Sequence, residues 1–248
     1  MRDPDHSTLW HVSAFERQRQ EGNPSAFAGL GPSTNLSTTL VSELVQMEQR
    51  ALGGDVLSVM SACMRQRENA LLLLKHQDLV WPVTLFPRDG LYHCPRPLAD
   101  ELLASGLDLA LLQVDAAGLR PPGSTYTERV GTLEHYRPLP PLLWSVALVG
   151  PRARLFDEIG GHAAYRVTPD FQLGPVRLSG AVGATFERLR TEIAPLRDIA
   201  RWPGMTPERA VRLLNALFVQ GGLIVLRAHH AARQAPGMAG GWTGKRRS

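Results

Sequence analysis

Between Asn69 and Cys94 three short apolar runs are separated by two turn signals, and no other stretch of the chain constrains the fold as much. Asn69–His76 contains four consecutive leucines, the composition of a strand buried on both faces. Gln77-Asp78 is a short turn. Leu79–Phe86 is rich in Val, Trp, Thr and Phe, and Pro82 assigns it to an edge or a bulge, because proline cannot donate to a ladder. Pro87-Arg88-Asp89-Gly90 is the clearest turn of all, since Asp-Gly tolerates the positive φ of a tight hairpin. Leu91–Cys94 then returns, and Leu107–Val114 has the pattern of a fourth strand.

Helical periodicity flanks these strands. Leu40, Val41, Leu44, Val45 and Met47 recur at helical spacing and end at Gly53-Gly54. Asp55 is placed to cap a second helix whose apolar side is Val56, Leu57, Val59, Met60, Cys63 and Met64. Pro97–Ser105 reads as a short helix with proline in its first turn. Residues 38–120 therefore form an α+β unit, a small antiparallel sheet packed by helices. Residues 1–37 sustain no period and read as a polar arm. The proline-rich Leu119–Ser124 marks a boundary, after which 121–178 is a connecting segment packed between units. Within it Leu142–Val149 is apolar enough to be buried, and Arg154–Ile159 looks like a helical turn.

Composition excludes several classes. With 248 residues, 44% hydrophobic and 20% charged, the chain is not collagen, coiled coil or wholly disordered. Two cysteines are too few for a disulfide framework, so a reducing cytoplasm is the expected setting. The polar start has no apolar signal-peptide core. The longest apolar run, Leu139–Val149, is too short for a bilayer that needs about 20 helical residues.

Charge is unevenly placed. Residues 1–184 sum to −3, whereas 185–248 hold 11 basic and 4 acidic side chains. Lysine occurs only at Lys75 and Lys245, an arginine preference that suggests a GC-rich bacterial genome. The basic excess draws a partner to the C-terminal quarter, an acidic protein or a nucleic acid. The extreme end, 231–248, is glycine-rich and then basic around Trp242, and reads as a disordered tail.

Residues 179–227 read helix, helix, helix, strand. Val182, Phe186, Leu189 and Ile193 form one stripe, Pro195–Trp202 is a short second helix, and Thr206 caps a third with Pro207 at its first position. Leu196–Ala200, Gly204–Ala210, Leu213–Leu217 and Gly222–Val225 together resemble a winged helix-turn-helix, over about a fifth of the chain. The resemblance implies a module, taken as 179–230, that docks on protein or on DNA. On a wheel of 100° per residue, Ala210, Val211, Leu214, Leu217 and Phe218 face the core, and Glu208, Arg209, Arg212, Asn215, Ala216, Val219 and Gln220 face away. The candidate binding surface is therefore Arg209, Arg212, Asn215 and Val219 with nearby Arg201. Arg, Asn and Gln read base edges, but Glu208 opposes phosphate, and Ala228-His229-His230 offers no return strand or basic wing tip.

Catalytic motifs are sparse. There is no Walker loop, nucleophile elbow or His-Glu-x-x-His helix, and Gly29-Leu-Gly31 lacks a third glycine. His93 and Cys94 are adjacent on a strand, so they point to opposite faces, which disfavours both ligating one metal. No cofactor, metal, small-molecule ligand or catalytic residue is assigned. The expectation is a non-catalytic, self-associating regulatory or adaptor protein acting by protein–protein contact. The alternatives are a DNA-binding transcription regulator using helix 207–220, and an enzyme with a site around Arg152, His162 and Tyr165.

Overall fold

The computed structural model describes residues 9–19, 36–50, 55–98, 109–125 and 129–228. Gly53-Gly54, the tail 231–248 and all but the first residues of the helix expected over 97–105 lie outside them. Within the arm, Trp10–His11 forms a two-residue strand β1, followed directly by helix α1 (Val12–Arg19). Ser37 caps α2 (Thr38–Gln49), its hydroxyl accepting from the Leu40 amide at 3.3 Å. Leu40 and Leu44, one turn apart, are fully buried. Asp55 caps α3 (Val56–Gln66), whose residues Val56–Cys63 are all buried. Those eight residues are buried all round the helix, and only its last turn, from Met64 to Gln66, reaches solvent.

The meander follows as expected. Strands β2 (Ala70–His76), β3 (Leu79–Phe86) and β4 (Leu91–His93) are antiparallel neighbours. Their turns place Gln77 at φ +54° and Gly90 at φ +64°. β5 (Leu109–Ala116) joins beside β2, and β6 (Tyr136–Pro138) beside β4, giving the order β5-β2-β3-β4-β6.

Three expectations need correction here. First, β3 is central, not an edge. On its far side β1 pairs at Leu79 and Val80 and β4 at Thr84–Phe86, so Pro82 falls in the gap between two short partners. Proline is tolerated where no neighbour asks for its missing N–H. Second, β2 is not buried on both faces. Ala70, Leu72, Leu74 and His76 are buried, while Leu71, Leu73 and Lys75 are half-exposed, because only the short α1 covers that side. Third, the arm, where the sequence sustains no period, carries the helix α1. Val12 and Phe15, three residues apart, seal Val80, Leu73 and Leu112 on the outer face of the sheet.

Beyond the sheet, α4 (Leu139–Val149) starts with Pro140 and Pro141 in its first turn and is buried almost throughout. It stops at Gly150, where a side-chain carbon would lie 2.0 Å from the Val146 carbonyl. A 3-10 turn spans Asp157–Ile159. Then come β7 (Ala164–Val167), α5 (Gly180–Thr191), β8 (Ala194–Pro195), α6 (Leu196–Ile199), α7 (Pro207–Val219) and β9 (Leu223–Leu226). The expected order of helices is present. β9 pairs with β7, a strand lying upstream of all three helices, in a second sheet of order β8-β7-β9.

One continuous cluster of buried residues runs from Leu36 through Leu74, Trp81, Leu142, Trp144 and Phe186 to Val219. Helix α4 is its centre, lying against α3 on one side and α7 on the other. The chain is thus a mixed α+β fold whose proline-rich 119–124 stretch connects elements sharing a core. No helix among the described residues is long and apolar enough to cross a membrane.

Candidate functional site

Helix α7 holds four of the five residues of the candidate binding surface, Arg209, Arg212, Asn215 and Val219. Thr206 accepts from the Arg209 amide at 3.2 Å, and Ala210, Leu214 and Leu217 enter the core as the wheel requires. The opposite side is covered as well. Asn215 is 0% exposed, Ala216 1% and Val219 6%. What covers them is α4 and the backbone that follows it. The Asn215 amide donates to the Arg154 carbonyl at 2.9 Å and accepts from the Phe156 N–H at 3.2 Å. Arg212 donates to the carbonyls of Leu148 at 2.9 Å and Gly150 at 2.6 Å, and to Glu208 at 2.9 Å.

Of the five residues proposed as a surface, then, Asn215 and Val219 are interior and Arg212 is occupied by backbone. A wheel separates polar from apolar sides. It cannot distinguish a solvated amide from one that serves the carbonyls of a neighbouring loop. Arg201 and Arg209 remain exposed, flanking the α6–α7 turn. Arg209 donates to the Gly204 carbonyl at 2.6 Å. Other arginines of this region are paired: Arg188 with Glu192 at 2.5 Å, Arg190 with Glu187 at 3.9 Å, Arg197 with Asp198 at 3.7 Å. Among the described residues Arg201 and Arg209 meet no carboxylate. Between them the Arg188 guanidinium stacks 4.1 Å above the Trp202 ring, next to exposed Pro203.

The three residues of the enzyme alternative occupy separate settings. Tyr165 is buried and donates to the Ile159 carbonyl at 2.6 Å, and burial raises its pKa. His162 is exposed on a bend. Arg152 is 7% exposed and is held by an ion pair to Asp55, by the Ser58 hydroxyl at 2.9 Å and by the Leu155 carbonyl at 3.1 Å. Its guanidinium also lies 4.0 Å from the Phe156 ring centre.

Arg152 lines a cleft of roughly 370 Å³ that no sequence motif marks. Helix α2 contributes Glu43, Gln46 and Met47, with Arg50 at its C-cap, α3 contributes Ser58 and Arg65, and the 3-10 region contributes Phe156, Asp157 and Glu158. Arg65 ties the walls together, paired with Glu43 and lying 3.4 Å from Glu158. The wall 150–156 is fixed from behind by Arg212 and Asn215. Nothing in the sequence places residues 43, 65, 152 and 158 together, because their contacts span up to about a hundred positions.

Other reactive groups are sequestered. Burial pushes the thiols of Cys63 and Cys94 up to about 12 and about 11. Among the described residues no group of three or more His, Cys, Asp or Glu is placed to hold a metal ion. No family model, curated protein or solved structure matches this chain.

Proposed function

We propose that this protein is a regulatory adaptor that binds an acidic segment of a partner protein at the turn between α6 and α7. The observation that carries this reading is the pair of exposed arginines, Arg201 and Arg209, that lack carboxylate partners among the described residues where neighbouring arginines have them. Exposed Pro203 beside them adds rigid apolar contact area, and the buried Trp202 ring under the Arg188 guanidinium supports the turn from within. Arginine is among the side chains that most often dominate interface energetics. The resemblance of 179–227 to a winged helix-turn-helix is compatible with this use, since a fold does not by itself dictate what it binds.

The DNA alternative draws less support. Base readout along helix 207–220 needs a free helix face in the major groove, and past its first turn α7 is flanked by α4 and by 150–156. Paired surface arginines also have less to offer phosphates.

The test is a tagged capture experiment comparing wild type with the Arg201→Glu/Arg209→Glu variant, followed by reconstitution with the purified partner. The variant should lose that partner at unchanged melting temperature, and wild-type affinity should fall as salt rises. A partner retained in full by the variant would overturn the assignment. Specific retardation of genomic fragments in a gel shift, abolished by the same variant, would favour DNA instead.

A further inference from the structure

The edges of the two sheets are not equally protected. β5 carries Asp115, and its pairing with β2 shifts register between Leu73 and Leu74. β6 is Tyr136-Arg137-Pro138, and the two-residue β8 ends in Pro195. Charge, proline and bulges keep an edge from pairing with another chain. β9, Leu223-Ile224-Val225-Leu226, has none of these, and all four residues are half-exposed. It ends the order β8-β7-β9, and beyond it lies no strand among the described residues.

The phase of the ladder fixes which groups face that edge. The Thr168 N–H donates to the Gly222 carbonyl at 3.0 Å, and the register continues through Arg166↔Ile224 and Ala164↔Leu226. Hydrogen-bonded and non-bonded pairs alternate along an antiparallel ladder. Ile224 and Leu226 therefore spend their main-chain groups on β7, while Leu223 and Val225 turn theirs outward. The side chains of Leu223 and Val225 pack on the core, and those of Ile224 and Leu226 stand on the other face.

Charge and composition point to the occupant. From Gln220 to Leu226 no residue is charged. Arg227, the first charge beyond, is tied to its own chain by the Glu158 and Gly160 carbonyls at 2.8 and 2.9 Å. The chain that follows, 229–248, has no Val, Ile, Leu, Phe or Tyr and contains Pro236 and four glycines, a composition that does not favour a return strand. A second copy of β9 suits the edge better. Antiparallel pairing about a two-fold axis at Ile224 sets Leu223 of each copy opposite Val225 of the other. The outward groups then meet, and no like charges oppose each other.

We propose that β9 pairs with β9 of a second copy, joining two three-stranded sheets into one continuous sheet. So short a ladder buries well below the ~800 Å² per partner of a standard interface. The dimer is therefore weak, with a Kd of about 10–100 μM.

Sedimentation equilibrium of the full chain from about 1 to 500 μM tests this, together with amide exchange. Dimer should accumulate across that range, and the Leu223 and Val225 amides should exchange more slowly as it does. Ile224→Lys and Ile224→Glu each place like charges across the axis and should weaken association about tenfold or more. Mixed in equal amounts, the two variants should associate more tightly than either alone. Val225→Pro removes an outward N–H and no bond to β7, so it should give the same loss without a charge. Far-ultraviolet circular dichroism checks that each variant is folded. Arg201→Glu/Arg209→Glu should dimerise as the wild type does, which separates this edge from the partner surface. A wild type that stays monomeric up to about 500 μM would overturn the proposal. So would undiminished association of folded Ile224→Lys and Val225→Pro, which would put the interface elsewhere. Slow exchange of the Leu223 and Val225 amides at every concentration would also overturn it, and would mark cover by the chain's own 229–248.

Discussion

Asn215 shows what a single side chain contributes once its neighbours are known. It is fully buried, and it satisfies one N–H and one carbonyl of the 154–156 backbone. Asn215→Ala would leave the buried Phe156 N–H unpaired and remove the bond to the Arg154 carbonyl, at a cost of about 1–3 kcal/mol by the usual penalty for an unpaired buried polar group. Urea denaturation should register that loss, whereas Arg209→Glu, at an exposed position, should shift the midpoint little. The buried thiols supply a pH prediction. Cys63 holds its proton to a higher pH in the folded chain than in the unfolded one. Stability from this source is therefore complete below the ordinary thiol pKa of 9.0 and is lost as pH rises toward about 12. Wild type should lose stability over that window, and Cys63→Ala should lose less of its own. Neither Cys63 nor Cys94 should react with a thiol reagent until the chain is unfolded.

At the scale of elements, local signals worked where the chain stores its instructions locally. Asp55 and Thr206 cap the helices that start after them, and the Pro87–Gly90 turn connects the strands on either side of it. These depend on residues within a few positions of one another. Pro82 was legible as an obstacle to pairing, but not as one lodged between two short partners, since β1 arrives from about seventy residues upstream. The α6–α7 turn illustrates the same limit. Gly204 has φ +73°, and a side-chain carbon there would lie 2.7 Å from Cβ of Ala181 on α5. The positive φ is foreseeable from a glycine in a tight turn, and the close approach is not. Gly204→Ala should destabilise the chain by about 1–3 kcal/mol through backbone strain and the clash together. Thermal unfolding checks it, with Thr206→Ala as a smaller reference loss of about 1 kcal/mol from the cap alone.

For the molecule as a whole, the decisive feature is α4, a short apolar helix set between α3 and α7. A core shared by both halves predicts a single cooperative transition, with far-ultraviolet circular dichroism and tryptophan fluorescence changing together. Trp81, Trp144 and Trp202 are spread across that core and sample all of it. Two resolved transitions would mean that residues 38–120 and 179–230 hold together less firmly than the packing indicates. The basic excess also divides at this scale. Within 185–228 there are 7 basic and 4 acidic side chains, and the remaining 4 basic groups belong to 229–248. The described part of the C-terminal quarter is thus only mildly positive, and ion pairs absorb most of its arginines.

By itself the sequence determined the α+β class, the meander of strands 69–94 with its turns, the capped helices and the order of helices in 179–227. All of these follow from periodicity, capping and turn chemistry, which act over a few residues. Tertiary structure decided which polar side chains are surface and which are interior. It turned Arg212 and Asn215 inward to hold a loop, left Arg201 and Arg209 outside, and gathered Glu43, Arg65, Arg152 and Glu158 around one cleft. The reason is physical. A side chain's exposure and partners are set by what packs against it, and here those neighbours come from parts of the chain far away in sequence.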